Sequence, residues 1–142
     1  MARSPPRKLA TLRMPRILIV EDSPDNMKLV TTLLKLKGHE IVGLMSGDGL
    51  LAAIAAAPPD LVLMDIQLPG KDGFQLLREI RADAAWKKLR VVALTAHAMG
   101  GDRDRAMDAG FDGYITKPID VREFPQQVLR ALNGEKVGSE PE

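Results

Sequence analysis

The sequence predicts an α/β fold in which one parallel sheet is covered by helices on both faces. Two observations carry this prediction. Five short apolar segments alternate with five segments of helical periodicity, and two of the apolar segments, LVLM and VVAL, have no polar side. Strands that alternate with helices form parallel sheets, and strands covered on both faces are apolar throughout. The 142 residues are enough for one such (βα)5 domain and too few for two ordinary ones.

The predicted strands are short and rich in β-branched residues, which favours extended structure. Each is bounded by residues that are typical of turns or helix caps. We predict strands at Ile17–Glu21, Glu40–Met45, Leu61–Met64, Val91–Leu94 and Gly113–Thr116.

The helices are marked mainly by their ends. Ser23 followed by Pro24 is typical of a helix start, because Ser caps the first turn and Pro is favoured at the first helical position. Gly38 is typical of a helix end. We predict helices from Pro24 to the glycine at 38, over Gly49–Ala56, after a cap at Asp72, over Asp102–Ala109 and over Val121–Leu132.

Pro125 conflicts with the start of the last predicted helix. With Asp120 as the cap and Glu123 completing a capping box, Pro125 lies about five residues into the helix. It lacks the amide that would donate to residue 121, and its ring crowds that carbonyl. Either the first turn is irregular or the helix begins near Pro125.

Basic residues are concentrated at the N terminus. Residues 1–16 hold five basic residues and no acid, which leaves 15 basic against 19 acidic residues, a net charge of −4, for the rest. A mildly acidic body argues against nucleic-acid binding by the fold itself. We expect a disordered basic extension at 1–15, one domain at 16–133 and a flexible tail at 134–142.

The composition excludes several classes of site. The chain has no cysteine, so it has no disulfides, thiol nucleophiles or cysteine-bound metals, and no apolar run is long enough to span a membrane. His39 and His97 are not spaced as zinc ligands, and His39 is predicted to be exposed. The dinucleotide-like pattern at Gly47–Ala52 follows the second strand, and we interpret it as a turn.

Polar residues end four of the five predicted strands. They are Glu21 and Asp22, Asp65, Thr95, and Lys117. Because ligands of open parallel sheets bind outside the carboxyl ends of the strands, these side chains are expected to converge there. Clustered carboxylates need a counter-ion, and Mg²⁺ suits a site of carboxylates and phosphate oxygens. A carboxylate beside a metal and a lysine can act as a nucleophile toward phosphorus.

Four stretches of the sequence resemble the receiver domains of two-component signalling: ILIVEDS (17–23), LVLMDIQLPGKDGF (61–74), VVALTAHAM (91–99) and DGYITKPI (112–119). Further similarity at NMKL (26–29) and AMGGDRDR (98–105) extends the resemblance to single-domain regulators of the DivK type. It implies a flavodoxin-like, doubly wound sheet with strand order 2-1-3-4-5.

The resemblance implies a role for each residue at the strand ends. Asp65 is the phosphoacceptor, and Lys117 contacts the phosphoryl group. Asp22 and Asp65 bind Mg²⁺ directly, Glu21 acts mainly through metal-bound water, and the backbone carbonyl of Gln67 completes the protein ligands.

Further roles follow from the same resemblance. Thr95 is the hydroxyl that moves toward the phosphate, and Tyr114 is the ring that follows it. Gln67 and His97 flank the path of the hydrolytic water and would modulate dephosphorylation. The Lys117-Pro118 bond is expected to be cis. The family's usual dimer mode is in doubt, because Pro125 lies in the last helix.

The implied function is that of a single-domain response regulator in the cytoplasm. It would accept a phosphoryl group from a histidine kinase or histidine phosphotransferase and signal to a downstream effector through protein contacts, without binding DNA directly. A weak homodimer is compatible with this function. The chain would be no enzyme beyond promoting its own phosphorylation and dephosphorylation.

Two alternatives stay open. One is a Mg²⁺-dependent phosphohydrolase with an aspartyl nucleophile. Such enzymes place a second aspartate two residues after the first, where this chain has Gln67. The other is a pseudo-receiver that binds partners without phosphate, against which the intact set of site residues argues.

Overall fold

A computed structural model describes residues 14–96, 101–135 and 137. Five parallel strands form one sheet in the order β2-β1-β3-β4-β5, which confirms the predicted fold. The strands are β1 (Arg16–Val20), β2 (Glu40–Leu44), β3 (Leu61–Asp65), β4 (Val91–Thr95) and β5 (Gly113–Thr116). The helices are α1 (Pro24–Lys35), α2 (Leu50–Ala56), α3 (Gly73–Ala82), α4 (Gly101–Ala109) and α5 (Phe124–Leu132).

The sheet separates two hydrophobic cores. Successive residues of β1 and β3 point to opposite faces, so that each strand contributes to both cores. The core on the side of α2, α3 and α4 contains Leu18, Val20, Val62 and Met64. The core on the side of α1 and α5 contains Ile17, Ile19, Leu61 and Leu63. All five residues of β3 and of β4 are buried, which explains why LVLM and VVAL have no polar side.

The predicted helix caps at Ser23 and Asp72 are present. The Ser23 hydroxyl accepts a hydrogen bond from the Asn26 amide at 3.3 Å, and Pro24 opens α1. Asp72 and Gln75 form a reciprocal capping box at the start of α3. These caps fix the starts of the two helices that follow β1 and β3.

The last helix begins at Phe124, so of the two alternatives for Pro125 the later start is right. Half of the capping box expected from Asp120 and Glu123 is present: the Asp120 carboxylate accepts from the Glu123 amide at 3.1 Å, but the described residues show no return bond from the Glu123 side chain. The same carboxylate oxygen accepts from the Arg122 amide at 2.9 Å, and the two bonds close a turn ahead of the helix. Pro125 then lies in the first turn of α5, where no helical amide bond is lost.

His39 is buried, and the prediction that it is exposed is wrong. Only 7% of the residue is accessible, because the chain turns at Gly38 and the His39 amide donates to the Leu34 carbonyl at 3.2 Å. Burial lowers the pKa of the His39 imidazole. Its Nδ1 atom has no hydrogen-bond partner among the described residues.

Val137, which follows α5, covers part of the outer edge of β5. Val137, which is 3% exposed, forms a parallel bridge with Gly113, and the Tyr114 amide donates to the Val137 carbonyl at 3.2 Å. Arg90 holds the approach to this bridge by donating to the Glu135 carbonyl at 3.3 Å. The sequence predicts a flexible tail at 134–142, but Val137 within it is hydrogen-bonded to β5 and buried.

Some expectations fall on other parts of the chain. Residues 1–13, most of the expected basic extension, lie outside the described residues, and so does His97. In the ranges that the structure describes, no helix is long and apolar enough to cross a membrane.

Arg81, near the end of α3, joins three parts of the fold. Its guanidinium donates to the carbonyls of Leu89 at 2.6 Å and Gly110 at 3.0 Å, and to the Asp112 carboxylate at 3.0 Å. The same Asp112 oxygen accepts from the Val91 amide at 2.8 Å. Arg81 thus ties α3 to the segments that lead into β4 and β5.

We expect Arg81→Ala to lower the free energy of unfolding by about 2 kcal/mol, because several hydrogen bonds to a charged group are lost together. Urea denaturation at pH 7.5 measures this loss. Arg78→Ala is the matched control on the same helix, since Arg78 is exposed, and it should change the free energy by less than about 0.5 kcal/mol. Equal losses for the two variants would contradict the role assigned to Arg81.

Candidate functional site

The polar residues at the strand ends meet at one edge of the sheet. Glu21 and Asp22 follow β1, Asp65 ends the central strand β3, Thr95 ends β4, and Lys117 follows β5. The parallel pairing aligns these ends, because β3 lies between β1 and β4 and β4 pairs with β5. The convergence that the sequence predicts is therefore present.

Lys117 bridges two buried carboxylates. Its Nζ atom lies 2.9 Å from Oδ2 of Asp65 and 3.0 Å from Oε1 of Glu21. The side chains of Glu21 and Asp65 are 1% and 4% exposed, and that of Lys117 is 16% exposed. One ammonium group thus compensates two carboxylates that are shielded from water.

Backbone amides orient both buried carboxylates in the same way. Oδ1 of Asp65 accepts from the Gln67 amide, and Oε2 of Glu21 accepts from the Ser23 amide, each at 3.0 Å. In each case the amide belongs to the residue two positions later, and the other oxygen faces Lys117. This arrangement leaves neither carboxylate free to rotate away from the lysine.

The electrostatics follow from burial and from the excess of negative charge. Burial raises the pKa of Glu21, and the charge of Asp65 adds to this, against the lowering effect of the Ser23 amide and Lys117. Burial acts to lower the pKa of Lys117, but its hydrogen bonds to Asp65 and Glu21 outweigh burial and raise it. The lysine is therefore held in its charged form.

Glu21, Asp22 and Asp65 form a cluster that could hold a metal ion. One carboxylate oxygen from each of the three residues lies within 4.8 Å of the other two. Asp22 is exposed, whereas Oε1 of Glu21 is buried and ion-paired with Lys117 at 3.0 Å. Three carboxylates that share one ammonium group supply the oxygen ligands and the excess negative charge that fit a hard divalent cation.

Thr95 ends β4 beside this cluster, whereas Tyr114 lies further back on β5, paired with Ala93. Thr95 is 1% exposed, and its carbonyl accepts from the Lys117 amide at 2.8 Å. Tyr114 is 5% exposed in the core beside α4, where Arg103 donates to its hydroxyl at 3.2 Å. The Lys117-Pro118 bond is cis, as expected.

Sequence reasoning missed two contributions to the site. The motif EDS indicates Ser23 as a helix cap, but not that its amide orients Glu21. Arg103 contacts Tyr114, which lies eleven positions later in the sequence, and no local sequence pattern predicts such a contact. For Gln67, the structure places the backbone amide against Asp65 and leaves the side chain exposed.

Known proteins are similar to this chain in sequence and in fold. A model of the response regulator receiver domain matches residues 17–129. The polar-differentiation response regulator DivK of Brucella ovis is 38% identical over 116 residues, which cover 82% of this chain and 94% of that protein. The sensor histidine kinase GacS of Pseudomonas protegens is 42% identical over 132 residues, which cover 91% of this chain but only 14% of the kinase.

A solved structure adds a geometric comparison. The receiver domain of a sensor histidine kinase from Pseudomonas aeruginosa, crystallised with a magnesium ion in its active-site cleft, matches with a TM-score of 0.77 and 32% identity. The match covers 84% of this chain and 98% of that one. A response regulator from Chloroflexus aurantiacus matches with a TM-score of 0.80 and 28% identity, over 85% of this chain and 99% of that one.

We expect Lys117→Met to lower the free energy of unfolding by about 3 kcal/mol at pH 8 without divalent ions, because two buried carboxylates lose their cation. The loss should be smaller at pH 5. The pKa of Glu21 is raised in the folded protein, so protonation favours folding, and this stabilisation disappears as the pH rises through that pKa. Urea denaturation at both pH values measures the difference.

Lys71→Met is the control for this substitution. Lys71 pairs with Glu79 at 2.6 Å on the surface, so its loss should change stability little at either pH. If Lys117→Met lowers the free energy of unfolding equally at both pH values, the repulsion between the Glu21 and Asp65 carboxylates is not the cause.

Proposed function

The chain belongs to the response regulator receiver domain family, and on that basis we propose that it accepts a phosphoryl group on Asp65 with the help of Mg²⁺. One observation carries the proposal. The Asp65 carboxylate is buried at the end of the central strand, is oriented by the Gln67 amide and lies 2.9 Å from Lys117. An oriented carboxylate beside a cation is suited to attack phosphorus.

The reaction places one oxygen of Asp65 on the phosphorus as the bond from phosphorus to the donor group breaks. Lys117 turns its charge from the carboxylate toward a phosphoryl oxygen as negative charge collects there. Asp22, Asp65 and Glu21 are the residues that would hold Mg²⁺. When bound, the ion neutralises charge on the phosphoryl oxygens.

We propose that Thr95 and Tyr114 change conformation when Asp65 is phosphorylated. A new anionic group beside Lys117 and Thr95 favours the conformation in which the Thr95 hydroxyl reaches it. Tyr114 pairs with Ala93, two residues before Thr95 on β4, and Arg103 donates to its hydroxyl. Movement at Thr95 would therefore reach the surface beside α4.

We also propose that Gln67 influences the lifetime of the phosphorylated state. Its amide side chain is exposed two residues after Asp65 and can both donate to and accept from a water molecule. The same role for His97 remains a proposal that depends on the sequence alone. The presence of Gln67 where an aspartyl phosphohydrolase has its general acid favours signalling over hydrolysis.

The proposed phosphodonor is a histidine kinase or a histidine phosphotransferase, and the proposed output is contact with an effector protein. Both belong in the cytoplasm, where kinases draw on ATP. The chain spans 14% of the kinase GacS and 94% of DivK. The only reactions that we propose for the chain itself are its phosphorylation and dephosphorylation.

We expect acetyl phosphate and Mg²⁺ to add one phosphate to the protein, as measured by mass spectrometry of the intact chain. Asp65→Asn should abolish the addition, because the nucleophile is removed. Asp60→Asn, an exposed aspartate before the same strand, should leave it unchanged. Full labelling of Asp65→Asn would show that another residue is the acceptor.

We expect Asp22→Ala to weaken Mg²⁺ binding at least tenfold in a calorimetric titration, because Mg²⁺ is held by few protein ligands and tolerates poor geometry badly. Asp22 is exposed, so the variant should keep the stability of the wild type. Asp25→Ala, an exposed aspartate three residues later in α1, is the control and should bind Mg²⁺ normally. Equal affinity in all three proteins would exclude Asp22 as a ligand.

A further inference from the structure

Gly73, the first residue of α3, lies against the backbone of the proposed phosphoacceptor. A Cβ atom at this position would lie 2.7 Å from the carbonyl oxygen of Asp65 and 2.8 Å from the Cα atom of Ile66. Real Cβ atoms essentially never approach other atoms within 3.0 Å. Gly73 is not among the glycines with positive φ, so space and not backbone conformation requires glycine here.

Hydrogen bonds hold the two peptide groups on either side of the Ile66 Cα atom. The Ile66 amide donates to the Leu94 carbonyl of β4 at 3.0 Å, and the Ile66 carbonyl accepts from the Gly73 amide at 2.9 Å. Both neighbours are backbone and cannot rotate aside as a side chain could. A methyl group at position 73 must therefore displace either α3 or this peptide.

The helix is poorly placed to move. Leu76, Leu77 and Ile80 bury the inner face of α3 completely, and the box between Asp72 and Gln75 fixes its first turn. In a close-packed interior, the strain caused by an added methyl group passes to the neighbouring part that moves most easily. The peptide after Asp65 is at the end of its strand, where the chain leaves the sheet, so part of the displacement would fall on it.

We propose that Gly73 is a positioning residue for the phosphorylation of Asp65. Because Gly73 has no side chain, the start of α3 packs directly against the Asp65–Ile66 peptide. This contact fixes the position of the Asp65 carboxylate relative to Lys117 and the Gln67 amide. The inference rests on the proposed function, since it concerns the same carboxylate. Gly73 acts through Asp65 and touches neither phosphate nor metal.

Gly73→Ala tests the proposal against a control of matched size. In Gly47→Ala, the new methyl group would lie 2.7 Å from both terminal carbons of Leu76, so it also disturbs the packing of α3, but it touches the far end of a side chain and not the backbone beside Asp65. The first measurement is the rate of phosphorylation by acetyl phosphate at saturating Mg²⁺. We expect Gly73→Ala to be slower by about tenfold or more, since a misplacement of about 1 Å can cost on the order of a hundredfold. Gly47→Ala should react at the rate of the wild type.

A second measurement needs neither phosphate nor Mg²⁺. The Gln67 amide contacts the Asp65 carboxylate, so its resonance in a ¹H–¹⁵N spectrum should shift in Gly73→Ala and stay in place in Gly47→Ala. Urea denaturation of both variants gives the general loss of stability, which a merely structural role would share. If Gly73→Ala is largely unfolded, all three proteins are compared in trimethylamine oxide, which favours the folded state.

The outcomes separate this inference from the proposed function. Phosphorylation of Asp65 in the wild type with an unchanged rate in folded Gly73→Ala would overturn the positioning role and leave the function intact. Equal slowing in Gly47→Ala would also overturn it, because the cause would then be a general disturbance of α3. A wild type that takes up no phosphate on Asp65 would overturn both.

Discussion

Two buried carboxylates share one ammonium group at the carboxyl edge of the sheet, and the rest of the site depends on this imbalance. Burying a carboxylate without a partner is costly, so the cluster is tolerable only because Lys117 reaches both Asp65 and Glu21. The compensation is incomplete, since Asp22 adds a third negative charge nearby. Because the three carboxylates outnumber the one ammonium group, the site favours binding of a cation.

The dry interior of the sheet makes this imbalance effective. The central strand is buried along its whole length, so polar side chains can occur only where it ends. The backbone amides of Gln67 and Ser23 then orient the carboxylates as the chain turns away from the sheet. The same turn brings the start of α3 onto the peptide after Asp65, so that packing and chemistry constrain one position together.

The parts of this structure that could be predicted from the sequence are those with a local signal. Continuous apolar strands predicted the parallel sheet, and polar residues at their ends predicted the cluster of carboxylates and lysine. Ser23 and Asp72 predicted the starts of α1 and α3, because a helix cap depends on residues that are neighbours in the sequence.

The features that the sequence did not settle depend on how turns and loops fold back in three dimensions. The burial of His39 depends on how the turn at Gly38 returns the chain to the sheet. Pro125 left two starts for α5, and the turn closed by Asp120 selected the later one. The contact of Gly73 with Asp65 joins residues eight positions apart, and no single-residue pattern reveals it.

The cover that Val137 provides makes the two edges of the sheet unequal. Exposed edge strands are templates on which other chains can add strands, and such additions lead to aggregation. At β5 the bridge to Gly113 occupies part of that template, whereas β2 pairs only with β1 among the described residues. β2 is short, and its Glu40 carries a charge paired with Arg16, both of which discourage strand addition. Any intermolecular β-pairing of the folded protein should therefore begin at β2, on the side of the sheet away from Tyr114.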